Sequence, residues 1–288
     1  MGRVTSRRRI VRIRDGVAAG AHNTLAAEEP LEIRIGGQPL AVTMRTPGDD
    51  FDLAAGFLVS EGVIATPAEL VAIRYCAGND DDGRNTYNVL DADLADGVAV
   101  DQKFLQRNVL TTSSCGVCGK ASLDAVRTTS RFSVADDPLR VDPATLSTLP
   151  GKRRAAQAVF EATGGLHAAG LFDAAGELVA IREDVGRHNA VDKLVGWAVR
   201  EGRLPLAGQL LVVSGRASFE LVQKAVMAGI PAMAAVSAPS SLAVELAQDA
   251  GLTLVGFLRG ASMNVYAGAH RVAASAGNAP AAVPAALP

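Results

Sequence analysis

Between residues 142 and 257 the chain changes its apolar period at short intervals, and that switching restricts the fold more than any other property of the sequence. Short apolar runs read as strands, and the segments between them repeat apolar positions at helical spacing. Lys152 to Thr163 reads as a helix. His167 to Phe172 and Leu178 to Arg182 read as strands joined by the turn Asp173 to Glu177, and Asn189 to Glu201 as a helix stopped by Gly202. Strand Gln209 to Val213, helix Ser218 to Ala228, strand Pro231 to Val236, helix Ser240 to Ala250 and strand Leu252 to Phe257 follow. Such alternation demands crossover connections, so the expected fold class is α/β, with a mostly parallel sheet and helices on both faces. Sheets of this kind take ligands at the carboxyl ends of their strands.

Four loops carry polar residues that a bare scaffold does not need. They are Thr163-Gly164-Gly165-Leu166-His167, Glu183 to Asn189, Ser214-Gly215-Arg216-Ala217-Ser218, and Phe257-Leu258-Arg259-Gly260-Ala261-Ser262. Three of them begin at strand carboxyl ends. Arginines on glycine loops near helix starts suit phosphate groups, because backbone N–H donors and a planar cation converge there. Singly each residue has a plainer explanation. His167 reads as a core histidine bonded to a carbonyl, Phe257 as core, and Glu183 and Asp184 as caps of the following helix. His188, between Arg187 and Asn189, is the stronger candidate, since three polar side chains at one strand-to-helix junction are hard to explain by packing. Together the loops point to an anionic ligand carrying a ring or nucleotide.

The first half reads as α+β. Residues 9–14 and Leu31 to Ile35 alternate apolar and charged positions, and Leu40, Val42 and Met44 resume the alternation after Gly36-Gly37-Gln38-Pro39, which predicts a hairpin. Asp50 to Glu61 is a helix ending at Gly62. Thr66, Pro67 and Glu69 spell a second helix start with a capping box. Ile73 to Cys76 and Tyr87 to Leu90 read as strands around Asn79 to Asn85, whose Asp80, Asp81 and Asp82 are the composition of a solvated turn. Cys76 reads as a small core residue. The expected organisation is a basic arm over 1–30, an α+β part over 31–110, an α/β domain over 111–272 and a disordered alanine-proline tail over 273–288.

Phe104 to Leu110 leads into Ser114-Cys115-Gly116-Val117-Cys118-Gly119-Lys120, which holds two of the chain's three cysteines. Lys120 to Arg127 reads as a helix beginning behind the pair. A cysteine near a helix start and a lysine has its thiolate favoured. A structural zinc site needs two further ligands that a single pair does not supply. A zinc deaminase needs His-x-Glu, which does not occur. A thioredoxin-like enzyme is the general default, but no strand-helix unit precedes the pair and the single tryptophan, Trp197, is distant. A thiolate carrying sulfur as a persulfide remains, and a glycine-flanked loop fits delivery between two sites.

Composition sets the outer limits. With 288 residues and 49% hydrophobic content the chain can bury a real core, and a formal charge of -2 gives no general argument for nucleic acid or membrane. Arg3, Arg7, Arg8, Arg9, Arg12 and Arg14 are a local cluster that reads as a solvated basic arm. No apolar run is long enough for a secretory core or a membrane span, and an odd cysteine count with one tight pair suits a reducing compartment, so the expected location is the cytoplasm.

The motifs, taken together, resemble the formate dehydrogenase accessory sulfurtransferases (FdhD) from about Pro30 to Tyr266. Those that carry the likeness are Ser114 to Gly119, Thr163 to His167, Glu183 to Lys193, Ser214-Gly215-Arg216, Ala238 to Ala243 and Gly256 to Gly260. The resemblance implies a cytoplasmic homodimer that accepts sulfur from a cysteine desulfurase. It then passes the sulfur to the bis(molybdopterin guanine dinucleotide) molybdenum cofactor destined for formate dehydrogenase. It implies that Cys115 bears the persulfide, that Cys118 assists, that Phe257, Leu258, Arg259, Gly260, Ala261 and Ser262 contact the cofactor, and that no metal is held by the protein itself. It also implies a three-layer α/β/α sandwich resembling cytidine deaminases. The rival of a different class is a non-catalytic chaperone for the cofactor with structural cysteines.

Overall fold

The computed structural model describes residues 4–76, 87–100 and 130–272. Cys115, Cys118, the predicted helix Lys120 to Arg127, the turn Asn79 to Asn85 and the tail 273–288 lie outside the described residues.

The centre is a six-stranded sheet in the order β12-β11-β10-β9-β7-β8. Its strands are β7 (His167–Phe172), β8 (Leu178–Asp184), β9 (Leu210–Val213), β10 (Ala232–Ala235), β11 (Thr253–Arg259) and β12 (Ser262–Ala267). Strands β9, β10 and β11 are parallel neighbours, as the crossovers require. The sheet as a whole is mixed, which corrects the expectation of a mostly parallel one. β7 runs antiparallel to both β8 and β9, and β12 returns antiparallel beside β11. The reason is connection length: Asp173 to Glu177 and Gly260-Ala261 are too short for a crossover and can only make hairpins.

Helices cover both faces. On one lie α4 (Arg187–Arg200), α5 (Phe219–Met227) and α6 (Ser241–Ala250), and on the other α2 (Pro143–Ala155). Strand alternation assigns the side chains: Leu211, Val213, Met233 and Leu254 enter one core, Leu210, Val212, Ala232 and Val255 the other. The predicted helix Lys152 to Thr163 is two helices. The first, α2, starts at Pro143, where Asp142 caps the Ala144 amide and proline fits the first turn. The chain breaks at Ala156-Gln157, and α3 (Ala158–Thr163) follows.

The N-terminal half adds a four-stranded sheet in the order β4-β3-β6-β5, with β3 (Glu29–Ile35), β4 (Gln38–Arg45), β5 (Leu70–Tyr75) and β6 (Val89–Leu94). The capping box at Thr66 and Glu69 forms as expected, but it opens one 3-10 turn, Pro67–Glu69, which runs straight into β5. Residues 9–14 belong to a longer strand, β1 (Thr5–Arg14), paired with β2 (Val17–Ala26) in a separate, largely exposed ribbon. Cys76 is half-buried at the end of β5 rather than in the core.

The joint between halves is α1 (Asp50–Ser60) lying on α4. The two helices touch through glycines. A Cβ on Gly56 would sit 1.8 Å from the Asp192 carbonyl oxygen, and one on Gly196 would sit 1.7 Å from that of Asp52. Only glycine permits that approach. Leu31, Ile33 and Leu90 of the small sheet and Leu53, Leu58, Val191 and Leu194 of the helices therefore share one continuous core. Among the described residues no helix is long and apolar enough to cross a membrane.

Candidate functional site at one sheet edge

The strand directions gather the polar loops. The carboxyl ends of β8, β9, β10 and β11 share one edge, and because β7 is antiparallel its first residue, His167, lies there too. All four loops read from the sequence are therefore neighbours. Ala217 bridges to Pro239, and the Phe257 amide donates to the Ser237 carbonyl, which ties successive loops together.

At the β7–β8 end is a cleft of about 230 Å³ lined by Glu28, Met44, His167, Val185, Gly186, Arg187 and His188. His167 Nδ1 lies 3.2 Å from Ser214 Oγ, so this histidine is bonded to a hydroxyl at the edge and is not sealed in the core. His188 Nε2 lies 3.4 Å from Ser218 Oγ and 3.8 Å from Glu220. Burial, with Arg187 adding repulsion, holds the His167 imidazole below its ordinary range. Burial together with Lys224 and Arg187 pushes His188 down to about 4. Both rings are neutral at pH 7, so each offers one N–H donor and one bare nitrogen.

At the β11 end stands the segment Phe257 to Ser262. Phe257 takes φ 51°, a left-handed conformation that a bulky residue rarely adopts, where the β11–β12 register shifts between Gly256 and Arg259. This turns the Phe257 ring partly outward, at 37% exposed. The Leu258 side chain is buried in the second core, while Arg259, Gly260, Ala261 and Ser262 are exposed. Arg259 Nε donates to the Val236 carbonyl at 3.0 Å and its guanidinium lies 6.0 Å from the Phe257 ring centre. Strained backbone of this kind collects at ligand-binding places.

Not every polar residue of the Glu183 to Lys193 stretch faces the edge. Asp184 is fully buried and accepts from the amides of Thr46 and Gly186, from the Asn189 amide group, and from Lys193 at 2.8 Å. Asp192 pairs with Lys224 at 2.8 Å and accepts from Ser60. Glu183 caps a helix, but the one before it: its carboxylate accepts from the Val159 and Phe160 amides at the start of α3. Arg187 and His188 alone of this stretch's charged and ring side chains line the cleft. Glu28 and Met44 had no sequence signal, since they reach the cleft from a distant part of the chain.

Glu220 acts on Arg187 only from beyond ion-pair distance. Among the described residues no carboxylate pairs with Arg187, Arg216 or Arg259, and Arg187 Nε is sealed from solvent without an acceptor. An arginine fork left unpaired beside glycine loops and helix starts is an anion-binding arrangement.

The fold and this edge define a mixed α/β protein whose strand ends gather arginines and glycine loops on one face. The sequence profile of the FdhD/NarQ family matches residues 26–273, and the chain belongs to that family. It is 68% identical over 274 residues to the sulfur carrier protein FdhD of Streptomyces avermitilis, covering 95% of this chain and 97% of that one. It is 55% identical over 276 residues to the protein of the same name from Mycobacterium tuberculosis, covering 94% and 100%. Its fold matches the crystal structure of a protein described as a formate dehydrogenase accessory protein from Desulfotalea psychrophila. There the TM-score is 0.71 and the identity 23%, over 94% of this chain and 100% of that one.

Proposed function

We propose that this protein is a sulfurtransferase of the carrier type, serving formate dehydrogenase. The Cys115 thiolate attacks the outer sulfur of a cysteine desulfurase persulfide. The donor's S–S bond breaks, its electron pair leaves with the donor thiolate, and Cys115 is left as a persulfide. Cys118 assists as the second thiol. The Cys118 thiolate attacks the Cys115 sulfur, the Cys115 S–S bond to the outer sulfur breaks and a Cys115–Cys118 disulfide closes. The outer sulfur leaves at the sulfide level and replaces an oxygen ligand, released as hydroxide, on the bis(molybdopterin guanine dinucleotide) molybdenum cofactor, which is substrate here and not a resident group; a low-molecular-weight thiol then reduces the disulfide. A cytoplasmic homodimer with a cytidine deaminase-like sandwich belongs to the same proposal.

The observation that carries it is the set of arginines, Arg187, Arg216 and Arg259, on one strand edge with no ion-paired carboxylate among the described residues. A substrate with two nucleotide tails has phosphates to spread along such an edge, and the half-exposed Phe257 ring offers a surface for a base. His167 and His188, held neutral, add hydrogen bonds without adding charge. The names of the close relatives point the same way.

The test is a mass spectrum taken after incubation with a cysteine desulfurase and cysteine. One added sulfur at Cys115, lost in Cys115→Ala, is expected. A chain that binds guanine nucleotide yet never gains that mass is the non-catalytic chaperone.

A further inference from the structure

Three arginines among the described residues are buried: Arg45, Arg153 and Arg271. Arg45 forks onto Asp50 at 3.0 Å through both Nε and Nη2. Arg271 donates to the carbonyls of Val134, Ala135, Asp137 and Gly251. Arg153, near the end of α2, is 5% exposed and has none of this. Its Nε and Nη1 are sealed from solvent without an acceptor, and among the described residues no carboxylate lies within ion-pair distance of it.

Its place is built. The side chain lies on β7 at Gly170, where a Cβ would come 3.2 Å from Arg153 Cγ and 3.0 Å from the Phe172 ring. Four residues on, at the break between α2 and α3, Gln157 is 2% exposed and its Nε2 is likewise without an acceptor. Gln157 also forms part of the lining of an open depression with Gly151, Arg154, Ala158 and Glu161. Arg154 does not supply the missing partner, since it is a cation itself, bonded to Glu161 at 2.9 Å and set over the Phe160 ring. Burial pushes Arg153 down to about 10, which leaves it a cation at pH 7. A buried cation with unmet donors is costly and is tolerated where an anion completes it.

We infer that Arg153 and Gln157 form a site for a small tetrahedral oxyanion, a free phosphate or sulfate or the phosphate of a larger ligand, on the sheet face opposite α4. The site lies on the α2 face of the sheet, apart from the edge arginines although Arg153 is near enough to His167 to repel a proton there, and it does not depend on the sulfur transfer proposed above. A guanidinium and an amide N–H₂ are the donor set such an oxyanion takes.

The experiment is thermal unfolding of the full chain with inorganic phosphate added at constant ionic strength, for wild type and for Arg153→Met, which keeps the length and removes the charge. Wild type should show a saturable rise in Tm, half complete at millimolar phosphate. Arg153→Met should show only the shallow, unsaturated rise that phosphate gives any protein. Identical curves for the two proteins overturn the site. Gln157→Leu covers the case in which Arg153→Met does not fold: it should raise the half-saturating phosphate several-fold, and an unchanged midpoint overturns the site equally. A guanine nucleotide titration identifies the source of the oxyanion. Affinity within two-fold of wild type in Arg153→Met is expected, or in Gln157→Leu where Arg153→Met does not fold. A loss of nucleotide binding parallel to the loss of the phosphate effect overturns a site separate from the edge.

Discussion

The joint between α1 and α4 and the edge of the six-stranded sheet treat charge in opposite ways. At the joint, Asp184 meets Lys193 and Asp192 meets Lys224 within the second half, and Asp52 of the first half meets Arg182 at 3.1 Å and Arg200 as well. At the edge, Arg187, Arg216 and Arg259 form no ion pair with a carboxylate among the described residues. The same short stretch, Glu183 to Lys193, feeds both regions. Paired charge there anchors hydrogen bonds to Thr46 and Ser60 of the first half, while the edge arginines are left without a paired carboxylate among the described residues.

If that division is right, substitutions in the two regions must separate stability from binding. The largest effect belongs to the glycine crossing. Gly196→Val puts a branched side chain where even a Cβ would overlap a backbone carbonyl, and stability should fall by about 3 kcal/mol or more, measured as a lowered denaturant midpoint. Next, Asp192→Ala strands the buried Lys224 ammonium, which should cost about 3–5 kcal/mol in the same assay. At the edge, Arg216→Ala should change stability by less than about 0.5 kcal/mol. Its guanine nucleotide affinity should drop by about tenfold, the loss of one charged hydrogen-bond partner. A large loss of stability there, or none at the joint, breaks the contrast.

A pH dependence sharpens the contrast at the cleft itself. His188 has a folded value of about 4 against an ordinary 6.5, so below about pH 6.5 the unfolded chain takes up a proton that the folded chain refuses. Stability should therefore be full above that pH and fall on acidification toward 4, by on the order of 2 kcal/mol once solvent at the cleft is allowed for. His188→Gln should flatten that part of the stability curve in urea unfolding across pH 4–7.

The second half was largely legible in the sequence because its crossovers leave a strong signature: β9 and β10 are each a short apolar run followed by a helix of clear period. Less legible was direction. β7 and β8 look like parallel strands until the five-residue connection between them is taken into account. The β2 strand, Val17–Ala26, is rich in alanine and small polar residues and gives no alternating signal, since most of it is exposed. Within the candidate site, sequence pattern picked out the loops but could not tell Asp184, Asn189 and Lys193, which turn inward, from Arg187 and His188, which do not. Helical spacing brings residues onto a common face only relative to a neighbour, and the neighbour here is α1, well over a hundred residues away. Arg153 gave no signal at all, since it is the middle of three consecutive cations, Lys152, Arg153 and Arg154, and the sequence does not say which of them turns inward.

The central claim is that the unpaired arginines of the strand edge receive the phosphates of a guanine nucleotide substrate. Calorimetric titration of guanosine diphosphate into wild type and Arg259→Ala tests it most directly. The account predicts saturable binding that weakens about tenfold in Arg259→Ala with the unfolding midpoint unchanged. Equal affinity in the two proteins contradicts it.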